Sequence, residues 1–357
     1  MNKNLKSGLK NFFGSLISND RAMEGAKNSP WWVTLIIFLA ATILPVVPIT
    51  VSVANTSGGD FLSSYTYSFD TTISKATQEL KNDDYQFVIN EDKKLIVTGN
   101  DVTNEIPLYT YTYSADGKQR KDLEIYYDNR PYSSSGSKDT ISYCNTFLNS
   151  LISDNLYKVD TIDKKSENDE ENTKYYIPSF VFFCPNTIYV YLFQDGTSTV
   201  AANNYSGCNY KHFAANTELL TLALKETETP TDLNNLTSAY KEKVTKNWKS
   251  IFSKCYIDQK NNSLLYSSLL YLGIYAVLEL FMALMLFILT RGKKNPFNYI
   301  KLPLCLGIES WASFCPALLA MILGFMFSGN SIGQMAYIML LGMRIMWLSM
   351  KQLRPAY

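Results

Sequence analysis

Histidine is nearly missing from this chain: His212 is the only one in 357 residues. A Ser-His-Asp triad would have to use it, and no Gly-x-Ser-x-Gly elbow accompanies it. Cys-x-x-Cys and Cys/His spacings are absent too, so no zinc site is expected. P-loop, dinucleotide and His-Glu-x-x-His motifs are lacking, so no nucleotide or metal cofactor is expected. Acids are plentiful, but no spacing singles out a glycosidase pair, because that geometry is set by the fold. The net charge is only +1, without the basic excess that marks nucleic-acid binding. These absences point away from an enzyme.

Charge is also scarce in four long apolar runs, Trp31–Ala54, Leu264–Thr290, Leu302–Phe327 and Ile332–Met350. Each has 19 to 27 residues, and a bilayer core takes about 20 residues of helix. The expected fold is a membrane protein of four transmembrane α-helices, with a large α+β extracytoplasmic domain inserted between helices 1 and 2. Its parts are a basic leader (1–30), helix 1 (31–54), the inserted domain (55–262), helix 2 (264–290), helix 3 (302–327), helix 4 (332–350) and a tail (351–357).

Charge placement orients the chain. The leader carries Lys3, Lys6, Lys10, Arg21 and Lys27 against Asp20 and Glu24. The link after helix 2 carries Arg291, Lys293, Lys294 and Lys301 with no acid, and the tail adds Lys351 and Arg354. By the positive-inside rule these segments are cytoplasmic, and both termini with them. The inserted domain has 21 Lys and Arg against 28 Asp and Glu, a net of −7, and is expected outside the cell membrane. Ser52-Val53-Ala54 has the spacing of a signal cleavage site. The 24-residue apolar run exceeds a usual signal core of about 7–15 residues, so an uncleaved span is the expectation.

The leader places Leu5, Leu9, Phe12, Phe13, Leu16 and Ile17 on one face at helical period, which predicts a short helix lying in the inner headgroup region. Pro45 and Pro48 predict a bend in helix 1, and Pro316 one in helix 3. Ala320, Gly324 and Ser328 give helix 3 a small-residue face for close helix approach.

In the inserted domain, Tyr85–Ile89 and Lys94–Thr98 flank Asn90-Glu91-Asp92-Lys93 as a hairpin. Further strands are expected at Leu108–Tyr113, Leu123–Tyr127, Ile177–Cys184, Thr187–Phe193 and Thr197–Ala202. Apolar stripes predict helices over Ile141–Ile152 and Leu233–Cys255, the second starting at Pro230-Thr231-Asp232. Residues 158–175 read as a loop. Most of the 25 tyrosines fall in this domain, where they either pair across strands in the core or form an exposed surface that stacks on sugars or peptides. Cys144, Cys184, Cys208 and Cys255 are either candidate disulfide cysteines, with Cys184–Cys208 the favoured pair because a strand hairpin lies between them, or free buried thiols.

Three ionisable residues lie inside spans: Glu279, Glu309 and Arg344. Measured from the inner helix ends, their depths are roughly 16, 12 and 10 Å. An unpaired charge there costs at least ~2.5–3.5 kcal/mol. Three readings stay open: a structural lock with Arg344 bridging the carboxylates, a proton or substrate path, and an Arg344 that snorkels to the inner interface beside neutral acids.

The chain resembles a bacterial membrane-protein family of unknown function whose members, from Gram-positive bacteria and mollicutes, often carry the name maltodextrin-utilisation protein. The likeness rests on the order of leader, span, outer domain and C-terminal spans. It rests also on Phe12-Phe13-Gly14-Ser15-Leu16-Ile17 before Arg21, and on Trp311-Ala312-Ser313-Phe314-Cys315-Pro316-Ala317-Leu318-Leu319. The resemblance covers less than half the chain. It implies at most a link to sugar import, and the expected role is an accessory or binding component, with a carbohydrate ABC transporter permease as a candidate partner. The alternatives are a transporter acting as a homo-oligomer and an envelope enzyme acting through the outer domain.

Overall fold

A computed structural model describes residues 12–59, 69–99, 102, 107–115, 118–129, 158–161, 173–175, 179–193, 200–201, 208–227, 230, 232–233, 235–291, 298–327 and 332–351. The chain divides into two compact units: 1–55 with 262–357, and Thr56–Asn261.

The first unit is helical. After a helical stretch at 12–15 come α1 (Asn19–Asn28), α2 (Trp31–Ile43) and α3 (Val47–Asn55). α7 (Ile257–Leu289), α8 (Leu302–Met326) and α9 (Ile332–Lys351) complete it. α7 and α8 are long and apolar enough to cross a membrane. A third crossing is added if α2 and α3 are one span; they meet at 41° across the Leu44-Pro45-Val46 break. Proline lacks the N–H and crowds the preceding turn, which explains the bend there. α8 by contrast continues unbroken through Pro316. The apolar stretch of α9, Ile332–Leu348, is shorter.

Small residues let these helices approach. A Cβ on Gly324 would lie 2.8 Å from Pro48, and one on Gly333 would lie 2.9 Å from the Gly324 Cα and 3.1 Å from the Ala320 carbonyl. Ala320 and Gly324 thus serve the close approach expected of them; Ser328 lies outside the described residues.

Ile17 is 95% exposed and Phe13 63%, and the helix stops at Leu16-Ile17-Ser18 before α1 begins. The face that packs is small rather than large: Ala22, Gly25 and Ala26 are buried, and a Cβ on Gly25 would meet the Trp311 ring at 2.6 Å. Phe12 stacks beside Phe314 and Trp311. The leader is built into the helical unit against α8. Leu5 and Leu9 lie outside the described residues.

The second unit is α+β. α4 (Phe69–Asn82) precedes the hairpin β1 (Gln86–Ile89) and β2 (Leu95–Thr98), joined by β10 (Thr217–Glu218) in a three-stranded antiparallel sheet. In the hairpin turn Lys93 takes φ 60°, and the Asn90 side chain accepts from the Lys94 N–H, a usual role for asparagine in turns. A five-stranded sheet runs in the order β3-β4-β7-β8-β9. Its strands are Tyr109–Ala115, Lys118–Tyr127, Ser179–Phe183, Ile188–Phe193 and Val200–Ala201. Only the β4–β7 pair is parallel. β5 (Lys158–Thr161) and β6 (Thr173–Tyr175) pair with each other, so the ends of the expected 158–175 loop are strands.

One face of the larger sheet, carrying Leu123, Ile125, Tyr127, Val181 and Phe183, packs in a single core with α4, α5 (Leu219–Ala223) and α6 (Ser238–Cys255). Glu124, Tyr126, Phe180 and Phe182 occupy alternate positions and are buried as well. α6 begins later than predicted, because the Thr237 hydroxyl accepts from the Tyr240 N–H and caps the helix there. The helix expected over Ile141–Ile152 lies outside the described residues.

Candidate functional site

Glu279 on α7 and Glu309 on α8 are both fully buried, at 0% exposure. They lie close enough to act on each other electrostatically. From α9, the Tyr337 hydroxyl donates to Glu279 Oε1 at 2.7 Å. Tyr275, one turn before Glu279, meets the Tyr337 ring edge-on with centroids 5.1 Å apart. Three helices thereby bring two carboxyls and two phenols together. Most of their polar atoms find no hydrogen bond among the described residues: Glu279 Oε2, both Glu309 oxygens, the Tyr275 hydroxyl, and nearby on α8 the Trp311 Nε1. Most buried polar atoms in folded proteins are satisfied, so such a concentration is unusual.

Arg344 does not join the carboxylates. Its Nε donates to Asn19 Oδ1 at 3.0 Å and its Nη2 to the Ser15 carbonyl, both in the leader. The reason is height. Glu279 is level with Tyr337, and Arg344 lies seven residues, or about 10 Å, further along α9. Arg344 instead borders a cavity of about 720 Å³ walled by Leu16, Leu319, Leu340, Met343 and Trp347, with Asp20 also at its edge. Its Nη1 has no partner among the described residues.

In the second unit, the candidate cysteines do not bridge. No disulfide joins Cys184, Cys208 and Cys255 to one another, which overturns the expected Cys184–Cys208 bond. All three are buried in the core, and burial pushes the Cys208 and Cys255 thiols up, so they are poor nucleophiles. They surround Tyr210, whose hydroxyl lies 3.2 Å from both the Cys184 and Thr187 carbonyls. Small thiols here fill space beside a large ring. Cys144 lies outside the described residues. Tyr109, Tyr126, Tyr127, Tyr189, Tyr210 and Tyr240 are buried, so these tyrosines are core, not a stacking surface.

The sole histidine has a structural partner. His212 Nε2 lies 2.7 Å from Asp258 Oδ1, and Asn209 donates to Asp258 Oδ2 at 2.8 Å. These bonds hold the Asp258 carboxyl below its ordinary range. They tie the 208–213 loop to Asp258 within the second unit. Among the described residues no group of three or more His, Cys, Asp or Glu side chains is placed to hold a metal ion.

No protein-family model, curated protein or solved structure matches the chain.

Proposed function

We propose that the chain is a four-span protein of the cell membrane, with both termini cytoplasmic and residues 55–262 outside. It works without catalysis, as an accessory or binding component beside another membrane protein. The observation that carries this reading is the surface of α7. In the most apolar 18-residue stretch of α7 only 22% of residues are buried, against 56% in α8. Leu269, Val277, Leu280, Phe281 and Ile288 are each about half or more exposed. Such a face suits lipid or the flank of a partner helix, since apolar side chains pack equally well on either. α7 is also the helix into which the outer block runs, one residue after α6 ends.

The charge asymmetry supports the orientation. The likeness to the maltodextrin-utilisation family supports a carbohydrate ABC transporter permease as the partner class. A photo-crosslinking residue placed at Val277 or Phe281 in cells tests the reading. Adducts with a permease subunit support it, whereas adducts with lipid alone contradict it.

A second reading, a transporter built from several copies of this chain, draws on Glu279 and Glu309, because ionisable groups held inside a membrane commonly serve a pathway. Adducts only between copies of the chain would favour it.

A further inference from the structure

Glu279 and Glu309 are sealed from solvent, and among the described residues neither has a cationic side chain in an ion pair. Two adjacent carboxylates in an apolar interior cannot both stay bare: each loses several kcal/mol of solvation, and like charges oppose each other's ionisation. Something positive must accompany them.

The donors present indicate what it is. Glu279 Oε2, Glu309 Oε1, Glu309 Oε2 and the Tyr275 hydroxyl are four oxygens without a hydrogen-bond partner among the described residues. Tyr275 is 2% exposed, and its hydroxyl is near enough to Tyr337 to act on it electrostatically. An all-oxygen set suits a hard cation and disfavours soft metals. Calcium would need six to eight oxygens and magnesium keeps several waters, more than a sealed pair of carboxyls provides. An acid retained only for structure is held by donors, as Tyr337 holds Glu279 Oε1. Glu309 has none among the described residues, the arrangement of a group whose counterpart is not protein.

Among the described residues, the other groups around the pair leave that counterpart unsupplied. α7 adds Tyr271 beyond Tyr275, α9 adds Tyr337, and α2 carries no ionisable side chain. Arg344 is engaged with the leader, and Cys305 on α8 faces Thr290 and Arg291.

We propose that Glu279 and Glu309 form an exchangeable site for one monovalent cation, a proton or a sodium ion, with Tyr337 orienting Glu279 through its hydroxyl. The site goes beyond the accessory reading and does not depend on what covers α7.

Infrared difference spectroscopy on the full chain reconstituted in phosphatidylcholine vesicles tests it. One arm raises the pH in potassium buffer; the other replaces potassium by sodium at fixed pH. Loss of a protonated-carboxyl C=O band in the first arm identifies the proton. A carboxyl band change with sodium identifies the metal ion. In either case Glu309→Gln abolishes the signal. Identical difference spectra for wild type and Glu309→Gln overturn the proposal, as does a wild-type spectrum unchanged in both arms. If Glu309→Gln does not fold, Glu279→Gln supplies the same comparison. A negative result leaves the accessory reading, which rests on crosslinking at α7, standing.

Discussion

The Tyr337 hydroxyl sits 2.7 Å from Glu279 Oε1, joining α9 to α7 through one hydrogen bond inside the helical unit. Removing the hydroxyl with Tyr337→Phe leaves the fourth and last carboxyl oxygen of the pair unpartnered as well. The expected loss is about 1–3 kcal/mol, the cost of stranding a buried acceptor. Detergent melting curves check it. In Glu279→Gln the same Tyr337 substitution should cost less, because a neutral amide oxygen accepts more weakly than a carboxylate.

Arg344 should couple to the leader and not to the acids. Double-mutant cycles of Arg344→Leu with Glu279→Gln and with Glu309→Gln should be additive within ~0.5 kcal/mol. The cycle with Asn19→Ala should show a coupling of about 0.5–3 kcal/mol. Equal coupling in all three would restore the ion-pair arrangement.

Gly25 faces a fully buried indole with no room for a methyl group. Gly25→Ala gains up to ~1 kcal/mol of helix propensity, but it forces Trp311 aside in a packed interior, at a cost of about 1–3 kcal/mol. A net fall in melting temperature is expected. An increase would mean that α1 is not held against α8.

Asp258 gives a pH dependence of defined sign. Its carboxyl is held below its ordinary value by Asn209 and His212. The stability it adds is therefore present above the unfolded value of about 3.9 and is lost as pH falls through the lower folded value. Wild type should lose stability across that acid window relative to Asp258→Asn, with parallel behaviour at higher pH. Melting curves of the full chain over a pH series check this.

Some of this was readable in the residues and some was not. The β1–β2 hairpin was, because Asn90 to Lys93 separates two β-branched runs. α4 was not, because it buries Thr72, Ser74, Thr77 and Gln78. Trp248 donates to Thr77 at 2.7 Å and Tyr240 to Gln78 at 3.0 Å, so a polar-looking helix face is an interior one. Glu279 and Glu309 stood out as charges within apolar runs, whereas Tyr337 and Tyr275 did not, since tyrosine is common in spans. Arg344's partners were hidden because an asparagine and a backbone carbonyl of the leader leave no periodic signal. The packing face of α1 escaped notice because it consists of alanine and glycine, and its value lies in the closeness it allows to Trp311.

The orientation underlies the accessory reading, and cysteine labelling in intact cells tests it most directly. The native cysteines of the second unit serve poorly, since Cys184, Cys208 and Cys255 are buried. Lys211, with a side chain 70% exposed, and Lys293, in the basic link after α7, are better positions. With adducts located by peptide mass spectrometry, an impermeant thiol reagent should modify Lys211→Cys in intact cells and Lys293→Cys only after lysis. Modification of Lys293→Cys in intact cells, with Lys211→Cys protected until lysis, would contradict the account.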